Sequence, residues 1–473
     1  MAKRYATFET VNFYAGGTLN RASWLREVSL YLNRAASSPD ATYILLSHGN
    51  PLVLAGDARI QRVARVGWDT VADAIMATVR RANPAAQDRA VFGPAAYGLS
   101  CDVQGDAAKY WTNSTQGMVA PGLSLAFLGI EQDADAAGVG ATDAWSSPAD
   151  TDGKVLQVPV GRPLFALSLS FRAPGAAQPT PCETLCERLL HGEGGGQTLE
   201  ELDMRMVVMT GALAPDDAAT VAYARTLLDW NERAVYCPGC GAQQYAACGG
   251  HKRACASTLQ RLHPTASVVA GLSGSAQPLG EAFCASARSL QNYTYPRSDP
   301  VVIAGILRAD HGAALLARQK MWPPGMYSCI AYVGGDASAY GSGFVEAGES
   351  LEEAVRREAF EETGIPVRQV AYHSSQPWPF PANMIIGAFG TATPGSTDTR
   401  LDLDTELEDA FFVSRNDALV LVDIAARRAA GEKSDAKAPV RNGQSVFIPP
   451  PWAIAHVLVA AWARGEALLG GKM

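Results

Sequence analysis

The chain has no apolar run approaching the roughly 18 to 20 residues that a membrane-spanning helix needs. Its N-terminus, MAKRYATFETVNFYAGG, carries Lys3 and Arg4 but no apolar core behind them, so it does not read as a secretory signal. Positive charge is not in surplus either. The 39 Lys and Arg residues against 47 Asp and Glu leave a formal net charge of −8, which argues against a general nucleic-acid binder. No internal repeat is visible. These absences lead to the expectation of an intracellular protein with no membrane partner. The last three residues, Gly471-Lys472-Met473, faintly resemble the Ser-Lys-Leu peroxisomal address, so peroxisome and cytoplasm are the expected compartments.

What is present divides the chain. A length of 473 residues exceeds one compact core and implies two or three domains. Residues 1–228 alternate strand-like and helix-like stretches. Tyr43 to Leu46 and Leu164 to Leu169 read as buried strands, and Leu25 to Leu32 and Asp217 to Trp230 have helical spacing. Asp133 to Gly153 reads as a loop, and no catalytic motif falls in this part. Residues 229–298 hold a cysteine cluster. Residues 299–473 begin with an apolar strand, Pro300 to Leu307, and end with an apolar helix, Pro451 to Leu469. Between these, Arg428 to Gln444 is polar, rich in breakers, and reads as a mobile loop.

Five of the nine cysteines lie between Cys237 and Cys284. In an intracellular chain such clustering points to metal and not to disulfides. Cys237-Pro-Gly-Cys240 is half of a zinc knuckle. Cys255 and Cys284 would complete four thiolates, although 28 residues split this second pair. Cys248 and His251 are rival ligands. Four protein ligands leave no open position, so the expected Zn2+ is structural. Cys182 and Cys186 have no partner pair nearby and read as plain thiols.

The most informative stretch is GFVEAGESLEEAVRREAFEETGI, from Gly343 to Ile365. Ser350 with Glu353 forms a capping box, and Gly364 supplies a C-terminal stop. Local chemistry therefore predicts a helix over 351–363. At about 100° per residue, Leu351, Val355, Glu358 and Glu362 share one face, and Glu361 sits at its edge. Two carboxylates thus continue an apolar stripe, near a helix end whose dipole opposes them. Such groups are costly unless a cation holds them, and a hard divalent ion with oxygen ligands fits. A solvated acidic helix would leave the inward carboxylates unexplained.

The spacing of Gly343, Glu349, Arg357-Glu358-Ala359, Glu361-Glu362, Gly364 and Ile365 resembles the Nudix box at every fixed position. The resemblance implies that Glu358, Glu361 and Glu362 bind catalytic Mg2+ or Mn2+, and that Glu349 is structural and pairs with Arg357.

Ten residues after the box comes SQPWPFP, Ser375 to Pro381. Alternating prolines make a stiff extended segment that suits holding two aromatic rings against a flat base. The string resembles the signature of NADH pyrophosphatases within the Nudix superfamily. The cysteine region is similar to the zinc region of fungal-type members. NFYAGGTLNRASWLR near the start, FLGIEQ at 127–132 and TLLDWN at 226–231 resemble that family's N-terminal domain. The resemblance implies a homodimer and substrate contacts by Tyr295, by Gln376, Pro377, Trp378, Pro379, Phe380, Pro381, Ala382 and Asn383, and by Ala455. Glu406 matches a further metal-binding glutamate.

Two departures stand out. Tyr332 to Ser342 intervenes before the box, and Ser342 replaces the alanine whose carbonyl helps hold metal in the family. Asn383 replaces a serine. The expected fold class is α/β (α+β), with a Nudix α/β/α sandwich at 299–473, a zinc-ribbon module at 229–298 and an α+β Nudix-like domain at 1–228. The expected activity is hydrolysis of NADH or NAD+ to nicotinamide mononucleotide and AMP, with removal of NAD caps from RNA. The alternatives are a hydrolase of ADP-ribose or diadenosine polyphosphates, and an inactive NAD(H)-binding protein impaired by the 332–342 insertion.

Overall fold

The computed structural model of the chain describes residues 10–56, 58–86, 88–97, 116–132, 142–145, 156–192, 198–257, 293–330, 343–403 and 406–466. They form two compact units. One comprises Gly17–Met204 and Ala212–Arg297, and the other Met1–Gly16, Arg205–Gly211 and Ser298–Met473. The sequence suggested three regions, whereas packing groups the residues in two. Both units mix sheets and helices, as the α/β class requires.

In the first unit the strands run in the order Leu125–Glu131, Arg162–Ser168, Thr42–Ser47, Asn50–Leu54 and Leu199–Glu201, with Arg65–Gly67 also paired to Thr42–Ser47. Thr42–Ser47 lies parallel to Arg162–Ser168, and its apolar run is buried as its composition predicts. Helix Pro215–Arg233 opens with a proline and two acids, a favourable start. One of those acids, Asp217, is fully buried and accepts from Arg62 at 2.6 Å and Arg65 at 2.7 Å. The predicted helix over Leu25 to Leu32 is instead a short turn, Ser23–Leu25, and a helix, Ser29–Ala36, because Val28 takes a non-helical backbone. Within the predicted 133–153 loop, Thr142–Trp145 is a strand paired with Leu156–Pro159; the remainder lies outside the described residues.

Gln244–Ala247, Lys252–Cys255 and Tyr293–Thr294 make a separate three-stranded antiparallel sheet in the same unit. Tyr245, Ala247, Cys248 and Ala254 share one buried cluster with Tyr97, Leu125 and Phe127. The cysteine-rich segment therefore has a core in common with the residues before it.

The second unit is built on a five-stranded sheet in the order Val367–Trp378, Asn383–Ala392, Asp299–Leu307, Ala313–Gln319 and Leu407–Ser414. The pair of Asp299–Leu307 with Asn383–Ala392 is parallel, and the others are antiparallel. Alternate residues Val302, Ala304 and Ile306 share a core with Val355 and Ala359 of helix Leu351–Thr363. Helix Ile454–Ala463 packs on the opposite face. There a Cβ at Gly387 would meet the Ile454 side-chain tip at 2.9 Å, so this helix packs closely over the glycine. This helix is shorter than Pro451 to Leu469, and Gly465 with φ 79° follows its end.

Arg428 to Gln444 keeps an irregular, largely exposed stretch at 431–439, as its composition suggested, but its two ends are regular. Helix Arg415–Ala430 runs through Arg428, and Val440–Arg441 then pairs with Gln444–Ser445. Arg441 makes two 2.8 Å bonds to Asp409, a long-range contact that composition cannot reveal. Among the described residues no helix is long and apolar enough to cross a membrane.

Candidate active site

Helix Leu351–Thr363 starts where its caps require. Ser350 Oγ accepts from the Glu353 backbone at 3.3 Å, and Glu353 accepts from the Ser350 backbone at 2.7 Å. Gly364 ends it in the left-handed region, at φ 70°. The face reading also holds. Glu358 is 3% exposed and Glu362 2%, while the Glu361 side chain is 51% exposed.

Arg357 is the hub of the site. It donates to both Glu349 oxygens at 2.6 and 3.0 Å, to Glu358 at 2.9 Å, to Glu361 at 3.1 Å and to the Phe344 carbonyl at 2.8 Å. The Glu349 pair was implied by the family resemblance; the other three contacts were not. The Arg357 guanidinium holds the Glu349 carboxyl below its ordinary range. At Glu358 burial dominates and pushes the carboxyl up to about 7, against the pull of Arg357 and of a backbone bond from Gly343. Arg357 therefore leaves the buried Glu358 only partly compensated, and carboxylate oxygens so placed are donors that a hard divalent ion fits.

The entry to the box is anchored. The Val302 backbone donates to the Gly343 carbonyl at 2.6 Å, and Val345 donates to Pro300 at 3.0 Å. Ile330 pairs with Ala304 through bonds of 3.0 and 3.1 Å. Both flanks of the 332–342 insertion thus lie on the one strand Asp299–Leu307. The insertion itself, with Ser342, falls outside the described residues. Glu406 immediately precedes strand Leu407–Ser414 and is half-buried.

The proline–aromatic segment continues strand Val367–Trp378. Trp378 is buried, with Tyr14 edge-on at 6.3 Å and the half-buried Phe380 tilted at 5.2 Å. Gln376 is spent on the protein: its amide donates to the Phe13 and Trp452 carbonyls and accepts from the Ile454 backbone. Asn12 donates to Ser374 Oγ and to the Ser375 carbonyl. Asn12, Phe13 and Tyr14 belong to this unit, although the sequence grouped them with the N-terminal domain. Pro377 and Pro379 lie within this wall, Pro381 and Ala382 form its half-buried turn, and Asn383 begins the next strand. Ala455 is fully buried in the first turn of helix Ile454–Ala463, and its carbonyl accepts from Cys329. Tyr295 lies in the first unit, exposed, with the Lys252 ammonium 5.8 Å from its ring centre. The second unit holds an open cavity of about 450 Å3 lined by Arg308, Thr397, Asp398, Thr399 and Ala410 to Phe412, which includes none of the box glutamates.

The structure brings three of the four expected zinc thiols together. The sulfurs of Cys237, Cys240 and Cys255 all lie within 4.8 Å of one another. Cys284 lies outside the described residues. The rivals are engaged elsewhere, with His251 bonded to the Phe127 carbonyl at 2.8 Å and Cys248 facing Glu27 at 3.6 Å. Cys182 and Cys186 are buried free thiols.

A model of the NUDIX domain matches residues 298–433. The "Nudix hydrolase 19, chloroplastic" of Arabidopsis thaliana is 32% identical over 350 residues, covering 68% of this chain and 69% of that protein. The chain belongs to the Nudix hydrolases. The "NAD-capped RNA hydrolase" of Schizosaccharomyces pombe is 36% identical over 254 residues, 54% of this Nudix hydrolase and 56% of that protein. The human "NAD(P)H pyrophosphatase NUDT13, mitochondrial" is 29% identical over 252 residues, 53% of this chain and 56% of its own length. Against these two relatives this Nudix hydrolase spans about half of their length.

Proposed function

We propose that this chain hydrolyses the diphosphate of NADH or NAD+ to nicotinamide mononucleotide and AMP, and that it also removes NAD caps from RNA. The observation that carries the reading is the pair of buried carboxylates, Glu358 and Glu362, on one helix face, with Glu358 tied through Arg357 to the box entry. Glu358, Glu361, Glu362 and Glu406 would hold Mg2+ or Mn2+. The bound ions would offset phosphate charge and acidify the attacking water. Arg357 fixes the rotamer of Glu358, and a box carboxylate accepts the proton of that water. The water oxygen joins phosphorus, the diphosphate bridge breaks, and the leaving phosphate departs on its nucleotide. The wall of Trp378 and Phe380 shapes the base subsite, together with Asn383 and Ala455.

In the same reading residues 229–298 are a zinc-bearing module between an N-terminal domain and a catalytic domain at 299–473. Cys284 is the fourth thiolate on Zn2+ beside Cys237, Cys240 and Cys255. Three thiols converging from a turn and a strand support that assignment. The working form is a homodimer in the peroxisome or cytoplasm.

The test is turnover with Mg2+ on NADH, ADP-ribose and diadenosine polyphosphates. NADH is expected to be the best substrate with the 332–342 segment in place. A clear preference for ADP-ribose would overturn the substrate assignment. Activity that emerges only on deleting 332–342 would show the natural chain to be an inactive NAD(H) binder.

A further inference from the structure

The strand that follows Glu406 is interrupted. Its ladder with Ala313–Gln319 pairs Arg318 with Asp409 and Gln319 with Leu407, which leaves Glu408 as an extra residue in a β-bulge. The bulge has a visible consequence. Leu407 and Ala410 are three apart, yet both enter the core beneath helix Leu351–Thr363. In an unbroken strand they would face opposite sides. The bulge therefore turns the chain between Glu406 and the regular strand.

Two clamps hold this turn. Arg318, itself buried, reaches Glu408 at 3.2 Å and also donates to the Pro323 and Trp322 carbonyls. Next to it, Asp409 accepts four bonds. They come from the Tyr327 hydroxyl at 2.6 Å, from Arg441 at 2.8 Å twice, and from Asn442 at 3.0 Å. Arg441 and Asn442 belong to the hairpin Val440–Ser445, and Asn442 adopts φ +51° there. The Arg441 guanidinium also lies 4.7 Å over the Phe411 ring. A bidentate arginine bond fixes direction as well as distance.

We infer that Arg441, acting through Asp409, is a positioning residue that holds the bulged strand so that Glu406 faces the divalent ion. The inference rests on the functional reading above, in which Glu406 helps to hold that ion.

The experiment is Arg441→Gln in the full chain, read by Mn2+ binding in electron paramagnetic resonance without substrate, and by kcat and KM for NADH. Mn2+ binding is expected to weaken about fivefold and kcat to fall about tenfold, with KM within about twofold. Arg441→Lys, which keeps charge but not the fork, should fall between. Unchanged Mn2+ binding, with only thermal stability lowered, would overturn the inference. If Arg441→Gln does not fold, Tyr327→Phe removes one bond to the same carboxylate and is read in the same way. Glu358→Gln separates the two levels. An active Glu358→Gln would overturn the reading of the site itself. An inactive one beside an unaltered Arg441→Gln would overturn only the clamp.

Discussion

The helix Leu351–Thr363 and the cysteine turn at Cys237–Cys255 each gather ligand groups of one sign, but they balance them differently. The helix brings its own cation: Arg357 bonds Glu349, Glu358 and Glu361 at 2.6 to 3.1 Å. The helix is also capped at both ends and packed on a sheet, so its fold does not depend on an ion. The thiols sit with apolar neighbours, and burial pushes the Cys255 thiol up. The neutral form of Cys255 is favoured until a metal takes its proton's place. On the proposed reading, the difference is that the first site would hold an ion that serves chemistry, and the second one that serves stability.

The comparison breaks most sharply if Glu362→Gln keeps its activity. That variant should lose at least about a hundredfold in NADH turnover, while its circular dichroism and melting temperature stay close to the parent's. Cys240→Ser should do the reverse. It should lower bound zinc and destabilise the unit by about 2 kcal/mol or more, with turnover falling only as folded protein is lost. Retained zinc, measured by elemental analysis, would remove the thiol cluster from the argument.

The smallest effect concerns acid. Burial, with Arg26 nearby, depresses the His251 imidazole to about 3. The unfolded chain then binds a proton that the folded chain refuses. The contribution of His251 to stability is therefore complete above about 6.5 and is lost as pH falls toward 3. Urea denaturation of the intact chain should show stability dropping by up to about 1 kcal/mol per pH unit below 6.5, and His251→Gln should flatten that slope. An equal slope in parent and variant would show that acid acts elsewhere.

Residues close in the chain account for what was legible in advance. Ser350, Glu353 and Gly364 bound the box helix through contacts within one turn. Its 3.6-residue period set Glu358 and Glu362 inward before any sheet was considered. The pairing of Glu349 with Arg357 came from the family resemblance and not from the spacing of the two residues. The strand Thr42–Ser47 followed from the apolar run Tyr43 to Leu46, and the helix Pro215–Arg233 from helical spacing over Asp217 to Trp230. The errors have the opposite character. The C-terminal end of the 428–444 segment looked loose because its anchor, Asp409, is 32 residues from Arg441. His251 and Cys248 looked like ligands because proximity in sequence cannot show that Phe127 and Glu27 already occupy them.

Local periodicity and capping were thus enough to define the carboxylate helix and the kind of ion it suits, because each contact lies within a turn or two. Tertiary structure alone decided that Arg357 joins the acids to the loop before them. It also decided that Gln376 is a brace, that three thiols meet, and that a bulge sets the strand after Glu406. Those outcomes depend on groups brought together across long separations, where sheet register and burial choose the partner and sequence spacing does not.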